Sequence, residues 1–365
     1  MKVDIERILI PNRGKTFYLF TNQDGKSWLM PKHHLRTALM LYQPSSWKGK
    51  ILKKVLSIPI MAMLVRYMLH IEPQRCELKE DINNLLCELF ETNKLDFSIF
   101  FGTPSIHQKM TIQLSKDNKI LGYCKVTEQI EVWNNFKREF LFLDDLYKKG
   151  IRDIPQGLYC EKRGDGICIF VQSTTKSLKS RYPHKWLSVH ERFLAHLNDK
   201  TKQKLQFEET DFYSAFVFLK HRLDWLNEKD NETVKKALKY IKSVFANKVV
   251  EFSVFHGDFT PWNMFMEKGH LFVFDWEYAM RTCPPGLDKY HFFIQTQIFE
   301  QHHNIDKIWK NYLNQHTIRN NTYFLCYFLL IISFYVKRSD TKEIFNAEPN
   351  IPIWIGLISK LIETL

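Results

Sequence analysis

His256-Gly257-Asp258-Phe259-Thr260-Pro261-Trp262-Asn263 is followed, twelve residues beyond Asn263, by Asp275 in Phe274-Asp275-Trp276-Glu277. An apolar run over 249–255 leads into the first stretch, and another over 271–274 leads into the second. A β-hairpin between Phe265 and Phe274, turning near Lys268-Gly269, brings Asn263 and Asp275 together. An amide oxygen beside a carboxylate is a hard-oxygen site suited to Mg²⁺, which takes one or two protein carboxylates and completes its shell with waters and phosphates. Asp258 is then left to orient a substrate hydroxyl and accept its proton. The bland reading of the same residues is a polar hairpin with structural caps. A lone His-Gly-Asp would not decide against it; three polar groups across eighteen positions, each flanked by apolar runs, do.

HGDFTPWN followed by FDWE resembles the catalytic and metal loops of the aminoglycoside phosphotransferase and choline kinase superfamily, a branch of the protein-kinase-like fold. The resemblance implies Asp258 as catalytic base, Asn263 and Asp275 as Mg²⁺ ligands, and ATP as phosphoryl donor. It agrees with the reading of the residues, since phosphoryl transfer rests on positioning and charge neutralisation. It further implies an upstream Lys on a strand, reaching the nucleotide phosphates and fixed by a Glu from the next helix. Lys125 in Gly122-Tyr123-Cys124-Lys125-Val126 and Glu139, fourteen residues on, are the candidates; Glu128 and Glu131 lie near enough to compete. Asp288 sits where related kinases carry an Asp supporting the catalytic loop, and Glu277 is placed to reach a second metal or a water. His256 is expected to hydrogen-bond the loop. Phe100-Phe101-Gly102-Thr103-Pro104-Ser105, at the place of a phosphate-covering loop, has a single glycine and departs from the protein-kinase pattern.

Outward from these loops, 97–101, 109–114 and 120–127 read as short strands, 131–149 as an amphipathic helix, and 157–160 and 167–172 as two more strands. From 176 the pattern is mainly helical, with 186–197, 211–226 and 232–245 as candidates. The expected fold class is α+β: a two-lobed protein-kinase-like fold with a small sheet-rich N-lobe (93–173), a helical C-lobe with the catalytic and metal loops (174–365), and an extra N-terminal segment (1–92). Within that segment, 16–21 and 27–30 suggest a hairpin and 32–42 a helix, broken by Pro44-Ser45-Ser46.

The first seventy residues hold twelve Lys and Arg against three acids, so +9 of the total charge of +12 lies there. This predicts an anionic neighbour, and residues 32–70 are the expected peripheral contact with an anionic membrane. The run 51–69 is interrupted by Lys53, Lys54, Pro59 and Arg66, and the apolar run 323–336 is short of the roughly 20 residues a span requires; the latter reads as a buried core helix. The N-terminus has no signal-peptide pattern. Seven cysteines without paired spacing imply reduced thiols and a cytoplasmic protein, placed at the inner face of the membrane if the basic segment docks there. No helix-turn-helix, zinc or RNA-binding signature accompanies the charge, so nucleic acid is not an expected partner. The expected function is ATP-dependent phosphorylation of a hydroxyl on a small molecule or glycan, such as a surface-polysaccharide or lipopolysaccharide precursor. The alternatives are a choline/ethanolamine-like or aminoglycoside kinase, and an inactive pseudokinase scaffold.

Overall fold

Alternation of apolar and polar residues draws the first half of the chain into one antiparallel sheet of eight strands: β1 (Leu9–Thr21), β2 (Ser27–Pro31), β3 (Pro73–Leu78), β4 (Asp96–Phe100), β5 (Met110–Lys116), β6 (Lys119–Thr127), β7 (Gly157–Lys162) and β8 (Cys168–Ser173), in the order β3-β1-β2-β4-β5-β6-β8-β7. The computed structural model describes residues 5–44, 47–103, 108–315 and 320–365. It forms two compact units, one comprising Met1–Lys148, Arg152–Arg181 and Met266–Phe272, the other Lys149–Ile151, Tyr182–Phe265 and Val273–Leu365.

In the first unit the hairpin read over 16–21 and 27–30 is present, with Phe17 opposite Pro31 and Thr21 opposite Ser27. Its turn is held by Asn22, whose side-chain oxygen accepts from the backbone of Asp24 and Lys26. β1 starts earlier than its sequence suggests, because a bulge at Asn12 and Gly14 (φ 63° and 71°) carries it past Pro11. A Cβ on Gly14 would fall 2.6 Å from that of Glu77 on β3, so glycine is needed there. The strands of 1–92 thus share a sheet with those of 93–173. The helix expected over 32–42 shrinks to α1 (Leu35–Ala38): the Lys32 N–H still donates to Thr16 in the ladder, and His34 turns through φ 58°. The breaker at Ser45-Ser46 lies outside the described residues. Beyond it come α2 (Trp47–Leu56), α3 (Pro59–Met68) and α4 (Glu80–Leu89). α4 sets Ile82 and Leu86 among Phe17, Phe97, Ile112, Cys124 and Val126 on one side of the sheet. α5 (Ile130–Lys148) packs on β7 and β8, with Phe136 and Phe140 against Phe170.

In the second unit the helices are α6 (Ser188–Thr201), α7 (Asp211–Lys220), α8 (Glu228–Phe245), α9 (Leu287–Gln295), α10 (Ile305–Leu313), α11 (Asn321–Arg338), α12 (Lys342–Asn346) and α13 (Ile351–Ile362). A small antiparallel sheet joins β9 (Gln203–Gln206), β10 (Val249–Phe255) and β13 (Met280–Cys283). α11 carries the run 323–336 and is buried from Phe324 to Ser333 among α7, α8, α9 and α13, as its length and composition require. Among the described residues no helix is long and apolar enough to cross a membrane. The remaining two strands, β11 (Met264–Glu267) and β12 (His270–Val273), pair as the expected hairpin, of which Met266–Phe272 belong to the first unit. Lys268 and Gly269 both have positive φ (50° and 84°), the conformation a tight two-residue turn demands.

Candidate active site

β10 runs as a buried strand through Phe252, Val254 and Phe255, then releases His256 into a loop. Gly257 turns at φ 87°, where a Cβ would lie 2.5 Å from the Tyr278 carbonyl oxygen; only glycine fits. The His256 imidazole accepts at Nδ1 from the Asp258 N–H (3.1 Å) and donates from Nε2 to the Phe274 carbonyl (3.1 Å). Both bonds belong to the neutral ring, and burial accordingly pushes its pKa down to about 4. His256 thus ties the Asp258 loop to the residue preceding Asp275.

Asp288, in the first turn of α9, accepts from the His256 N–H with both carboxylate oxygens (3.2 and 3.1 Å). It is fully enclosed, and burial pushes its pKa up to about 7 despite the backbone donors. This is the supporting geometry expected of it. Asp258 differs. Its side chain is 30% exposed, with Oδ2 accepting from Asn263 Nδ2 (2.7 Å) and Oδ1 3.2 Å from His291 Nε2. A carboxylate has about four acceptor positions, so one exposed with two neighbours retains capacity for a further proton.

Asn263 ends a 3-10 turn, Pro261–Asn263, whose first residue suits proline. Its amide nitrogen donates to both the carboxylate and the backbone carbonyl of Asp258 (2.7 and 3.1 Å), which leaves Oδ1 as the atom it offers a ligand. Its carbonyl accepts from the Phe274 N–H (3.0 Å), so Asp275 follows directly on the residue bonded to Asn263. Asp275 has φ 67°, uncommon for a residue with a side chain and frequent at functional sites. Among the described residues no three His, Cys, Asp or Glu side chains gather to hold a metal. Asn263 and Asp275 supply donor types that would suit the cation that asks least of the protein: one amide oxygen, one carboxylate, and a shell otherwise filled by water and phosphate.

In the first unit Lys125 and Glu139 meet as an ion pair, with Nζ 2.8 Å from Oε2 and 3.1 Å from Oε1. The pleat explains it. Cys124 and Val126 of β6 face the core shared with α4, which turns Lys125 to the opposite face beneath α5, 5.5 Å over the Phe170 ring. Glu139 is buried in α5, whereas Glu131 is exposed and Glu128 half-buried. In the loop after β4, Gly102 has φ 80° and a Cβ would strike the Lys109 carbonyl; Pro104 and Ser105 lie outside the described residues.

One site residue escaped the sequence reading. His291 is buried between Asp258 and Tyr327, whose hydroxyl is 3.5 Å from its Nδ1. The signal was available: His291 stands three residues after Asp288 on α9, on the same side of the helix.

Residues 192–284 match the model of the phosphotransferase enzyme family, a stretch that begins in α6 and takes in Asp258, Asn263 and Asp275. The fold is that of the aminoglycoside phosphotransferases. The apo form of a thermostable mutant of aminoglycoside phosphotransferase APH(4)-Ia superposes with a TM-score of 0.50 at 12% identity, covering 77% of this chain and 98% of that one. Two further variants of that phosphotransferase also have TM-scores of 0.50. One, in ternary complex with ADP and hygromycin B, is 13% identical and covers 78% of this chain and 98% of its own. The other, with AMP-PNP and hygromycin B, is 11% identical over 78% and 99%. No curated protein matches the chain. At such identities the likeness establishes the protein-kinase-like α+β fold, and the fold class and resemblance read from the sequence both hold.

Proposed function

We propose that the protein transfers the γ-phosphoryl group of ATP to a hydroxyl of a small molecule or glycan. The observation that carries this reading is Asp258, a partly exposed carboxylate braced by Asn263 and His291 in a loop whose Asn263 carbonyl is bonded to the residue before Asp275. Asp258 accepts the proton of the acceptor hydroxyl. The freed oxygen bonds to the γ-phosphorus as the bond to the β–γ bridging oxygen breaks, and ADP leaves. Asn263 Oδ1 and the Asp275 carboxylate would hold Mg²⁺, which would supply charge neutralisation for the transferring phosphoryl group. Lys125, fixed by Glu139, orients the phosphates of the nucleotide. His256 and Asp288 move no proton; they hold the loop. The relatives in complex with ADP or AMP-PNP support a nucleotide donor.

The acceptor we favour is a surface-polysaccharide or lipopolysaccharide precursor, handled at the inner face of the membrane, because the N-terminal segment is basic. Choline, ethanolamine and aminoglycosides are the other acceptors with a hydroxyl of this kind. The test is mass spectrometry of surface glycans and soluble phosphorylated metabolites in cells carrying wild type or Asp258→Asn. Loss of one phosphate from a glycan supports the reading with its acceptor, and loss from a soluble metabolite keeps the reaction and changes the acceptor. No difference, with the variant folded and expressed, favours a scaffold.

A further inference from the structure

A surface helix of a water-soluble protein turns its apolar stripe inward; α3 turns it outward. Ile60, Met63, Leu64, Tyr67 and Met68 follow the i, i+3, i+4, i+7, i+8 pattern of one helix face. That face is open, with Ile60 69%, Met63 59%, Tyr67 82% and Met68 73% exposed. The side facing the protein is slight: only Ala62 of α3 is buried, in a small cluster with Leu39 and Leu56. The single charge of α3, Arg66, is drawn back onto the protein, where it donates to the Ala62 carbonyl and stacks 4.1 Å over Tyr18. What remains outward is wholly apolar.

The neighbouring helix supplies the opposite chemistry. On α2, Trp47, Lys50, Ile51 and Lys54 recur at i, i+3, i+4 and i+7, all exposed, with Lys48 beside them. Lys53 is different: half-buried, it donates to the Tyr42 carbonyl and is not a surface charge. Eight Lys and Arg and no Asp or Glu lie between Asp24 and Glu72.

We propose that α2 and α3 dock the protein on an anionic lipid surface, with the α3 stripe among the acyl chains and Lys48, Lys50 and Lys54 at the headgroups. Ten residues at about 1.5 Å each cannot cross a hydrocarbon layer of about 30 Å, but they can lie within its boundary. Trp47 and Tyr67 are the aromatic types that settle at that depth. A second copy of the chain is a poorer occupant, since it would bring two all-positive surfaces together.

The full-length protein is sedimented with vesicles of phosphatidylcholine alone or with phosphatidylglycerol added. Wild type is expected to bind the anionic vesicles and to be released by high salt in part. Replacing Ile60, Met63, Tyr67 and Met68 with Ser should weaken binding at least about 100-fold, without altering thermal unfolding. Lys48→Glu, Lys50→Glu and Lys54→Glu together should abolish the preference for anionic vesicles. Failure of wild type to bind either vesicle, or equal binding by the four-serine variant, overturns the proposal. So does a concentration-dependent dimer lost in that variant without vesicle binding, which would assign the face to a second copy.

Discussion

The ion pair of Lys125 and Glu139 and the cluster around Asp258 both place charge inside the protein, but they hold it differently. Lys125 and Glu139 are buried and bind one another from a strand and a helix, with Lys125 lying over the Phe170 ring. Asp258, Asn263, His256 and Asp288 are joined largely through backbone atoms: the Asp288 carboxylate, the His256 imidazole and the Asn263 amide take up N–H and C=O groups of the loop and of Phe274. A pair supported by packing breaks when one member is cut, because a buried charge is left alone. A loop braced by its backbone keeps its shape when one side chain loses its chemistry. Stability and activity should therefore separate between the two regions.

The largest effect expected is on activity in the braced loop. Asp258→Asn removes the base and should lower kcat by about 10²–10⁴-fold while thermal unfolding changes little, checked by steady-state kinetics and calorimetry side by side. Next, Lys125→Met removes the cation 2.8 Å from buried Glu139 and should cost about 3–5 kcal/mol in denaturant unfolding. Lys125→Met with Glu139→Met should recover most of that stability yet leave nucleotide affinity impaired, as seen by calorimetric titration of ATP with Mg²⁺. If the double variant is as unstable as the single, the packing account of that region is broken.

A smaller effect is expected at His291, which positions Asp258 without touching the reacting atoms. His291→Phe should lower kcat by about 10-fold or more, leave the KM for ATP unchanged and shift the pH profile; a purely structural role would move none of these selectively. The smallest concerns pH. The Asp288 pKa is raised from 3.8 to about 7, so the folded state holds a proton that the unfolded chain releases. Its contribution to stability is present below pH 3.8 and is lost as pH rises to 7. His256, lowered from 6.5 to about 4, acts in the opposite sense over pH 4–6.5. Asp288→Asn should therefore flatten the decline in Tm above pH 6.5, where His256 no longer offsets it.

The catalytic loop was legible because its chemistry is local: Asp258 and Asn263 are five residues apart and a tight turn at Lys268-Gly269 returns the chain to Asp275. Lys125 and Glu139 were legible because a strand followed by a helix fixes which faces meet. His291 was not, since its partner lies thirty-three residues away and helix spacing from Asp288 was the sole clue. β3 and the start of β1 were hidden by Pro73, Pro11 and Gly14, residues that signal turns, yet there sit at a sheet edge and a bulge. The basic charge of 32–70 pointed to a surface contact, but the direction of the α3 stripe was not legible. The stripe is the same a core helix would show, and only the fold reveals which way it points.

The most direct test of the account is calorimetric titration of ATP with Mg²⁺ into three proteins, paired with a transfer assay on a cell-derived acceptor pool. Wild type should bind and transfer, Asp258→Asn should bind without transferring, and the Lys125→Met, Glu139→Met protein should fold but bind weakly. Folded wild type that binds no nucleotide would contradict the account.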